Sequence, residues 1–221
     1  MGADVPKVLL RLSTGSADRS MIAQTVNIFS RDPSCVRVVV CVPAAWQGAF
    51  SEEIGGVAKV MLVVGGATRQ DSVRLGVEAL AQRVLSEGGD EASECVLVHD
   101  AARCCVTPHV IERVVDGVRE FGAVTAAVPV PDSLCKVSSG AISTFVDREN
   151  VWAIQTPQGF LLRELRSAHF AAQTDMFVAT DDASVVARIR DVRVVEGDRL
   201  NIKVTHPRDL EIAARISQLG E

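Results

Sequence analysis

The sequence predicts an α/β fold built on a mostly parallel sheet, with one β-arm projecting from it. Short β-branched runs alternate with longer segments of helical periodicity. The runs are almost continuously apolar, as parallel strands covered on both faces are. One polar stretch, Asp132 to Asp147, interrupts this order and reads as an arm. Strand–helix alternation calls for right-handed crossovers, which lay the helices against the sheet.

The elements follow in chain order. Met21–Phe29 sets Ile22, Val26 and Phe29 on one helical face. Arg37–Val42 (RVVVCV) is a strand, and Lys59–Val64 (KVMLVV) is another that ends in Gly65-Gly66. Asp71–Leu85 aligns Val73, Val77, Leu80 and Val84 as a helix, with Asp71 or Ser72 as its cap. Cys95–Val98 (CVLV) is a third strand. Pro108–Phe121 is a helix with Thr107 at the N-cap and Pro in the first turn. Ala123–Val128 is a fourth strand. Asp132–Asp147 carries two short alternating runs around Ser138-Ser139-Gly140, the pattern of a β-hairpin, giving an arm at about 132–148. Leu161–Ala172 and Pro207–Leu219 are helical, and Val192–Val195 is a late strand. No linker or repeat divides the chain, so residues 1–221 read as a single domain.

Composition narrows the function. With 221 residues, 48% of them hydrophobic, the chain can bury one sizeable core. The net charge is −5 and Lys and Arg are not clustered, so there is no footprint for nucleic acid. The apolar runs are too short to span a bilayer, and Met1–Lys7 has no secretory apolar region. The six cysteines show no C-x-x-C spacing and the four histidines are scattered, which fits free thiols in a cytoplasmic protein.

Ligands of open α/β sheets bind at the carboxyl ends of the strands. Three such ends carry polar residues here. Gly65 to Ser72 joins a strand to a helix, with glycines that admit close backbone approach and a hydroxyl at the helix start. The bland reading is a glycine turn with a capped helix. His99-Asp100-Ala101-Ala102-Arg103 puts a carboxylate and a guanidinium directly after a strand, with small alanines between them. A surface Asp–Arg pair is the alternative. Asn201-Ile202-Lys203-Val204-Thr205 holds a lysine between apolar residues, suited to reach a phosphate or simply to face solvent. Weaker signals are Thr156-Pro157-Gln158 as a turn presenting a hydroxyl, Thr180-Asp181-Asp182 as a helix cap, and the loop lysine of Pro6-Lys7.

Taken in order, the motifs carry a resemblance. They are Pro-Lys, Gly-Gly-x-x-Arg-x-Asp-Ser-Val, Val-His-Asp-Ala-Ala-Arg, Pro-x-x-Asp-Ser, Val-Asp-Arg, Thr-Pro-Gln-x-Phe, Thr-Asp-Asp-Ala and Asn-Ile-Lys-Val-Thr-x-Pro-x-Asp-Leu. From Pro6 to Leu210 the chain closely resembles the 2-C-methyl-D-erythritol 4-phosphate cytidylyltransferase family. The resemblance implies a Rossmann-like nucleotidyltransferase fold and a homodimer joined partly by the β-arm. It implies that CTP and the sugar-alcohol phosphate react, with Mg²⁺, to give CDP-methylerythritol and pyrophosphate in non-mevalonate isoprenoid synthesis. Lys7 and Lys203 match lysines on the α-phosphate. Asp100, Arg103, Thr156 and Thr180 match positions around the substrates. Ser133 and Arg148, on the arm, match groups that reach the substrate phosphate of the other subunit. Gly66, Ser72 and Ala101 match positions that hold the cytidine. No protein ligand to the metal is assigned.

Departures accompany the matches. Ala67 stands where some members of the family have Asp, Cys104 where they have Pro, and Ser133 where they have Thr. The family begins with a strand and a glycine-rich triphosphate loop ahead of the segment matching Met1-Gly2, and the sequence starts after it. Three large apolar side chains of such a strand would contribute about 5–9 kcal/mol by burial, against a whole-domain stability of about 5–15 kcal/mol. The expectation is a chain that is unstable and poorly active as written. Two alternatives stay open: a ribitol-5-phosphate cytidylyltransferase, and a non-catalytic dimeric nucleotide-binding protein.

Overall fold

The computed structural model describes residues 5–14 and 17–219. After a short 3-10 turn at Lys7–Leu9 come an antiparallel pair, β1 (Arg11–Thr14) and β2 (Ala17–Ser20), and then helix α1 (Met21–Arg31). The Ser20 hydroxyl accepts the Ala23 N–H and caps α1. Next come β3 (Val38–Val42), α2 (Gln47–Ile54), β4 (Val60–Val64), α3 (Arg69–Ser86), β5 (Cys95–Val98) and α4 (Pro108–Phe121). The second half runs β6 (Ala123–Pro129), β7 (Leu134–Ser138), β8 (Ala141–Val146), β9 (Trp152–Leu161), α5 (Leu162–Thr174), α6 (Asp182–Val186), β10 (Arg193–Glu196) and α7 (Pro207–Leu219).

The central sheet has the order β10-β6-β9-β5. Only β9 runs antiparallel to its neighbours, so β10, β6 and β5 share one direction. Strands β3 and β4 pair in parallel beside it. This is the α/β, mostly parallel arrangement that the alternating pattern predicted. Helix α4 packs on β6 and β9 through Val110, Val114 and Val118, all buried. Gly122, with φ 78°, closes α4 in the left-handed region.

β9 differs from expectation. Thr156-Pro157-Gln158 lies inside this strand and not in a turn. Pairing with β6 passes from Thr125↔Gln158 to Ala127↔Ile154 across a register shift. The proline sits in that irregular stretch, where its missing N–H removes no regular ladder bond. Helix α3 begins at Arg69, and its cap is Thr68, whose hydroxyl accepts the Asp71 N–H at 3.0 Å.

β7 and β8 form the arm. Ser139 and Gly140 both have positive φ, 51° and 80°, as the tight turn between them requires. The arm leaves Val137, Ile142 and Phe145 exposed, Phe145 at 74%.

No ladder joins β3 to β5 among the described residues. A cleft of about 590 Å³ lies between them, lined by residues of both strands with Val73 and Val77 of α3. All four residues of β5 are only half-buried, whereas the first five of β6 are buried. The sequence marks β3 and β5 as strands of a covered interior. The structure gives each an edge facing the cleft.

Candidate active site

The carboxyl end of β5 runs into Asp100, and the chain brings three cations to it. Lys203 Nζ donates to Asp100 Oδ2 at 2.7 Å, and Arg69 Nε donates to Asp100 Oδ1 at 3.2 Å. Arg103 follows in the same loop and donates through Nη1 to the Asn201 carbonyl at 2.8 Å. Burial opposes ionisation of Asp100, but Lys203 and Arg69 outweigh it and hold the carboxyl below the usual carboxylate range. Burial likewise lowers the pKa of Arg103, which the Asp100 charge only partly offsets.

The Lys203 segment is held in place at both ends. Val204 N–H donates to the Ala102 carbonyl at 2.8 Å. Asp209 Oδ2 accepts the Thr205 hydroxyl and the N–H groups of Thr205 and His206, fixing the approach to α7. Those bonds lower the Asp209 pKa. Lys7 arrives from the other end of the chain, and its Nζ donates to the Val204 carbonyl at 3.1 Å. Lys7 is thus moored on the residue that follows Lys203.

Thr156 ties the parts of the site together. Its hydroxyl accepts the Asp100 N–H at 3.0 Å and lies 3.1 Å from His99 Nδ1. Its carbonyl accepts Asn201 Nδ2 at 2.8 Å. Thr156 is buried, so its main work here is to tie β9 to the loops after β5 and before α7. Ala101 forms the floor beside Asp100, and its carbonyl accepts the Thr25 hydroxyl at 3.2 Å.

Gly66 and Ser72 flank the start of α3. The Ser72 hydroxyl accepts the Gly66 N–H at 3.1 Å and donates to the Thr68 carbonyl at 2.9 Å. A Cβ on Gly66 would lie 2.4 Å from Asp71 Cβ, so only glycine fits this approach. Thr180 is exposed just ahead of α6. Gln70 bonds the Phe177 carbonyl and the Ala179 N–H, which brings Thr180's loop to the start of α3. Ser133 and Arg148 are exposed at the base of the arm, where Arg148 donates to the Pro131 carbonyl.

Two participants lay within motifs but had no role assigned from sequence. Arg69 bridges Asp100 to Asp182, and Asn201 joins Thr156 to Arg103. The signal for Arg69 was a cation at the first turn of a helix that follows a Gly-Gly loop. Among the described residues no group of three or more His, Cys, Asp or Glu is placed to hold a metal ion. All six cysteines are free.

The family whose sequence model matches residues 1–218 is described as 2-C-methyl-D-erythritol 4-phosphate cytidylyltransferase. The chain belongs to this family. A cytidylyltransferase of that name from Geobacillus kaustophilus is 37% identical over 98% of this chain and 90% of its own. One from Synechococcus is 45% identical over 71% of this chain and 67% of its own. The crystal structure of the Thermus thermophilus cytidylyltransferase has a TM-score of 0.79 at 33% identity, covering 96% of this chain and 94% of that one. The Francisella tularensis structure has a TM-score of 0.82 at 25% identity, with the same coverage. The chain is thus a nucleotidyltransferase with the Rossmann-like α/β fold of the 2-C-methyl-D-erythritol 4-phosphate cytidylyltransferases.

Proposed function

We propose that this cytidylyltransferase joins CTP and 2-C-methyl-D-erythritol 4-phosphate, giving CDP-methylerythritol and pyrophosphate, at the carboxyl end of β5. The observation that carries the location is the meeting of Arg69, Arg103 and Lys203 around Asp100, with Lys7 bonded to Val204, the residue after Lys203. The substrate phosphate attacks the α-phosphorus in line and pyrophosphate leaves. Negative charge on the α-phosphate oxygens is what must be stabilised, so fixed cations and positioning supply the catalysis.

Lys203 and Lys7 are the catalytic cations in this reading. Their present partners, a carboxylate and a carbonyl, hold the ammonium groups until phosphate oxygens take them. Asp100 keeps Lys203 oriented, and Arg103 and Thr156 shape the substrate side. Thr180 closes it from the α6 side. Gly66, Ser72 and Ala101 form the nucleoside side, where close backbone approach suits a flat base.

The residues fit a Mg²⁺ that arrives with the triphosphate more than one held by a protein cage. Asp100, the carboxylate at the centre of the site, is already shared by two cations. Mg²⁺ commonly binds through substrate phosphates, retained waters and one or two carboxylates. When bound there it would neutralise charge on the leaving pyrophosphate.

The chain works as one nucleotidyltransferase domain whose arm reaches a second copy in a homodimer. The exposed Val137, Ile142 and Phe145 give that arm an apolar surface suited to a partner. Ser133 and Arg148 then serve the neighbouring site. Nucleic acid and membrane play no part in this reading, and no helix among the described residues is long and apolar enough to cross a membrane. Free thiols favour the cytoplasm.

The test is pyrophosphate release from CTP, Mg²⁺ and methylerythritol phosphate by the chain. Release that requires methylerythritol phosphate supports the assignment. Preference for ribitol 5-phosphate would transfer it to the related enzyme. Saturable CTP binding with no release would leave a binding protein.

A further inference from the structure

Behind the site lies a buried His–Asp pair that the reaction as described does not use. His169 of α5 and Asp182 of α6 are each 1% exposed, with His169 Nε2 3.0 Å from Asp182 Oδ1. The second carboxylate oxygen, Oδ2, lies 2.9 Å from Arg69 Nη2. The same guanidinium reaches Asp100 Oδ1 through Nε, and Asp100 Oδ2 holds Lys203. A series of close polar contacts therefore runs from His169 through Asp182, Arg69 and Asp100 to Lys203, its Asp182–Arg69 step an ion pair without hydrogen-bond geometry.

We propose that Asp182 and His169 are positioning residues for the transfer reaction, fixing Arg69 and, through it, the Asp100–Lys203 pair. The proposal rests on the assignment of Asp100 and Lys203 to that reaction. A guanidinium is rigid and planar, so holding Nη2 sets the direction in which Nε–H points. Arg69 alone would be a poor anchor, because its side chain is 35% exposed and Lys203 is 42% exposed. The immobile end of the series is Asp182. Its backbone N–H and that of Ala183 both donate to Gln158 Oε1, at 3.0 and 2.9 Å. Gln158 is fully buried in β9, two residues from Thr156, which itself receives the Asp100 N–H. Asp100 is thus located twice from β9, once through Thr156 and once through Gln158, Asp182 and Arg69.

Energetics point the same way. Taking a carboxylate out of water costs several kcal/mol, which its ionic partners offset only in good geometry. An apolar pair of similar size would stabilise the junction of α5 and α6 at least as well. What an apolar pair would not do is aim Arg69 at Asp100.

The experiment is a double-mutant cycle between Asp182→Asn and Lys203→Ala, read as kcat and KM for pyrophosphate release. Asp182→Asn keeps the shape and removes the charge. Alone it is expected to lower kcat about tenfold with KM changed less than about twofold, a coupling typical of charges in one network. In the Lys203→Ala background it should cost less than about twofold in kcat. His169→Gln, which retains an N–H donor, should keep more activity than His169→Leu. Leu165→Val, in the same core, serves as a control for loss of stability. The proposal is overturned if Asp182→Asn costs as much in both backgrounds, or if Leu165→Val at equal loss of Tm lowers kcat equally. Unchanged kcat in Lys203→Ala alone would instead overturn the site assignment, whatever Asp182 does.

Discussion

Lys203 shows how a single residue acts through its surroundings. Its ammonium group is half-exposed but anchored on Asp100, and in the proposed reaction that anchoring is what would let it meet phosphate charge without reorganising. Lys203→Ala is expected to lower kcat by about 10²-fold with a much smaller change in KM. Pyrophosphate release at varied CTP checks this, and an equal loss in both constants would remove the catalytic role. His99 gives a second prediction. Burial pushes its imidazole down to about 4 from 6.5, against the opposing bond to the Arg103 carbonyl. The unfolded chain gains a proton as pH falls through 6.5 while the folded chain stays neutral until about 4. The associated stability is therefore complete above 6.5 and is lost as pH falls toward 4. Urea unfolding at pH of about 7.5 and about 5 should show native protein losing more stability than His99→Gln. Equal losses would show that the ring carries no such penalty. Asp100, Arg103 and Lys203 were legible because polar residues stood directly beside apolar runs. The parts of Arg69, Asn201 and His99 were not, because they depend on pairings such as Arg69 with Asp100, 31 residues apart.

Among the elements, the arm was the most legible. Its turn needs residues that tolerate positive φ, and Ser139-Gly140 announces it. β9 was the least legible. Pro157 and Gly159 are poor strand residues, and only the register shift against β6 and the close packing of Gly159 under Val114 and Val118 make them fit. The arm also makes the sharpest element-scale prediction. If Arg148 serves the neighbouring subunit, Arg148→Ala and Lys203→Ala damage different halves of each composite site. Co-refolding the two inactive variants in equal amounts should then restore about one quarter of native activity, since half the dimers are mixed and each has one intact site. Recovery of activity checks the prediction, and no recovery would place Arg148 in its own subunit's site. Replacing Phe145 by Asp should weaken dimerisation, seen as a lower mass by sedimentation at equal concentration.

For the molecule as a whole, the deciding feature is the cleft between β3 and β5. The apolar side chains divide into four separate buried clusters, and those built on β3 and β5 fall on opposite sides of this gap. Sequence pattern alone cannot show this. A run such as CVLV reads the same whether its strand has two neighbours or one, because periodicity records which faces are apolar and not which edges are paired. The cleft has the properties of a strand position: two strand edges face it, and its walls are largely apolar, including Val38, Val39, Val96 and Leu97. An extended apolar segment placed ahead of Met1 should enter it, pair with both edges and bury its own side chains. Each kcal/mol gained should raise Tm by about 2–4 °C in a chain of this size, so even three buried side chains at about 1.5 kcal/mol each predict a rise of roughly 10 °C or more. An extension of equal length made of Gly and Ser should raise it little, because it offers the same backbone without the apolar area. Calorimetry of the two extended chains against the 221-residue chain measures the difference. Amide exchange gives the structural readout, since β5 amides that face the cleft should slow only with the apolar segment. Equal Tm in all three chains, with exchange in β5 unchanged, would mean that the walls of the cleft do not accept a strand.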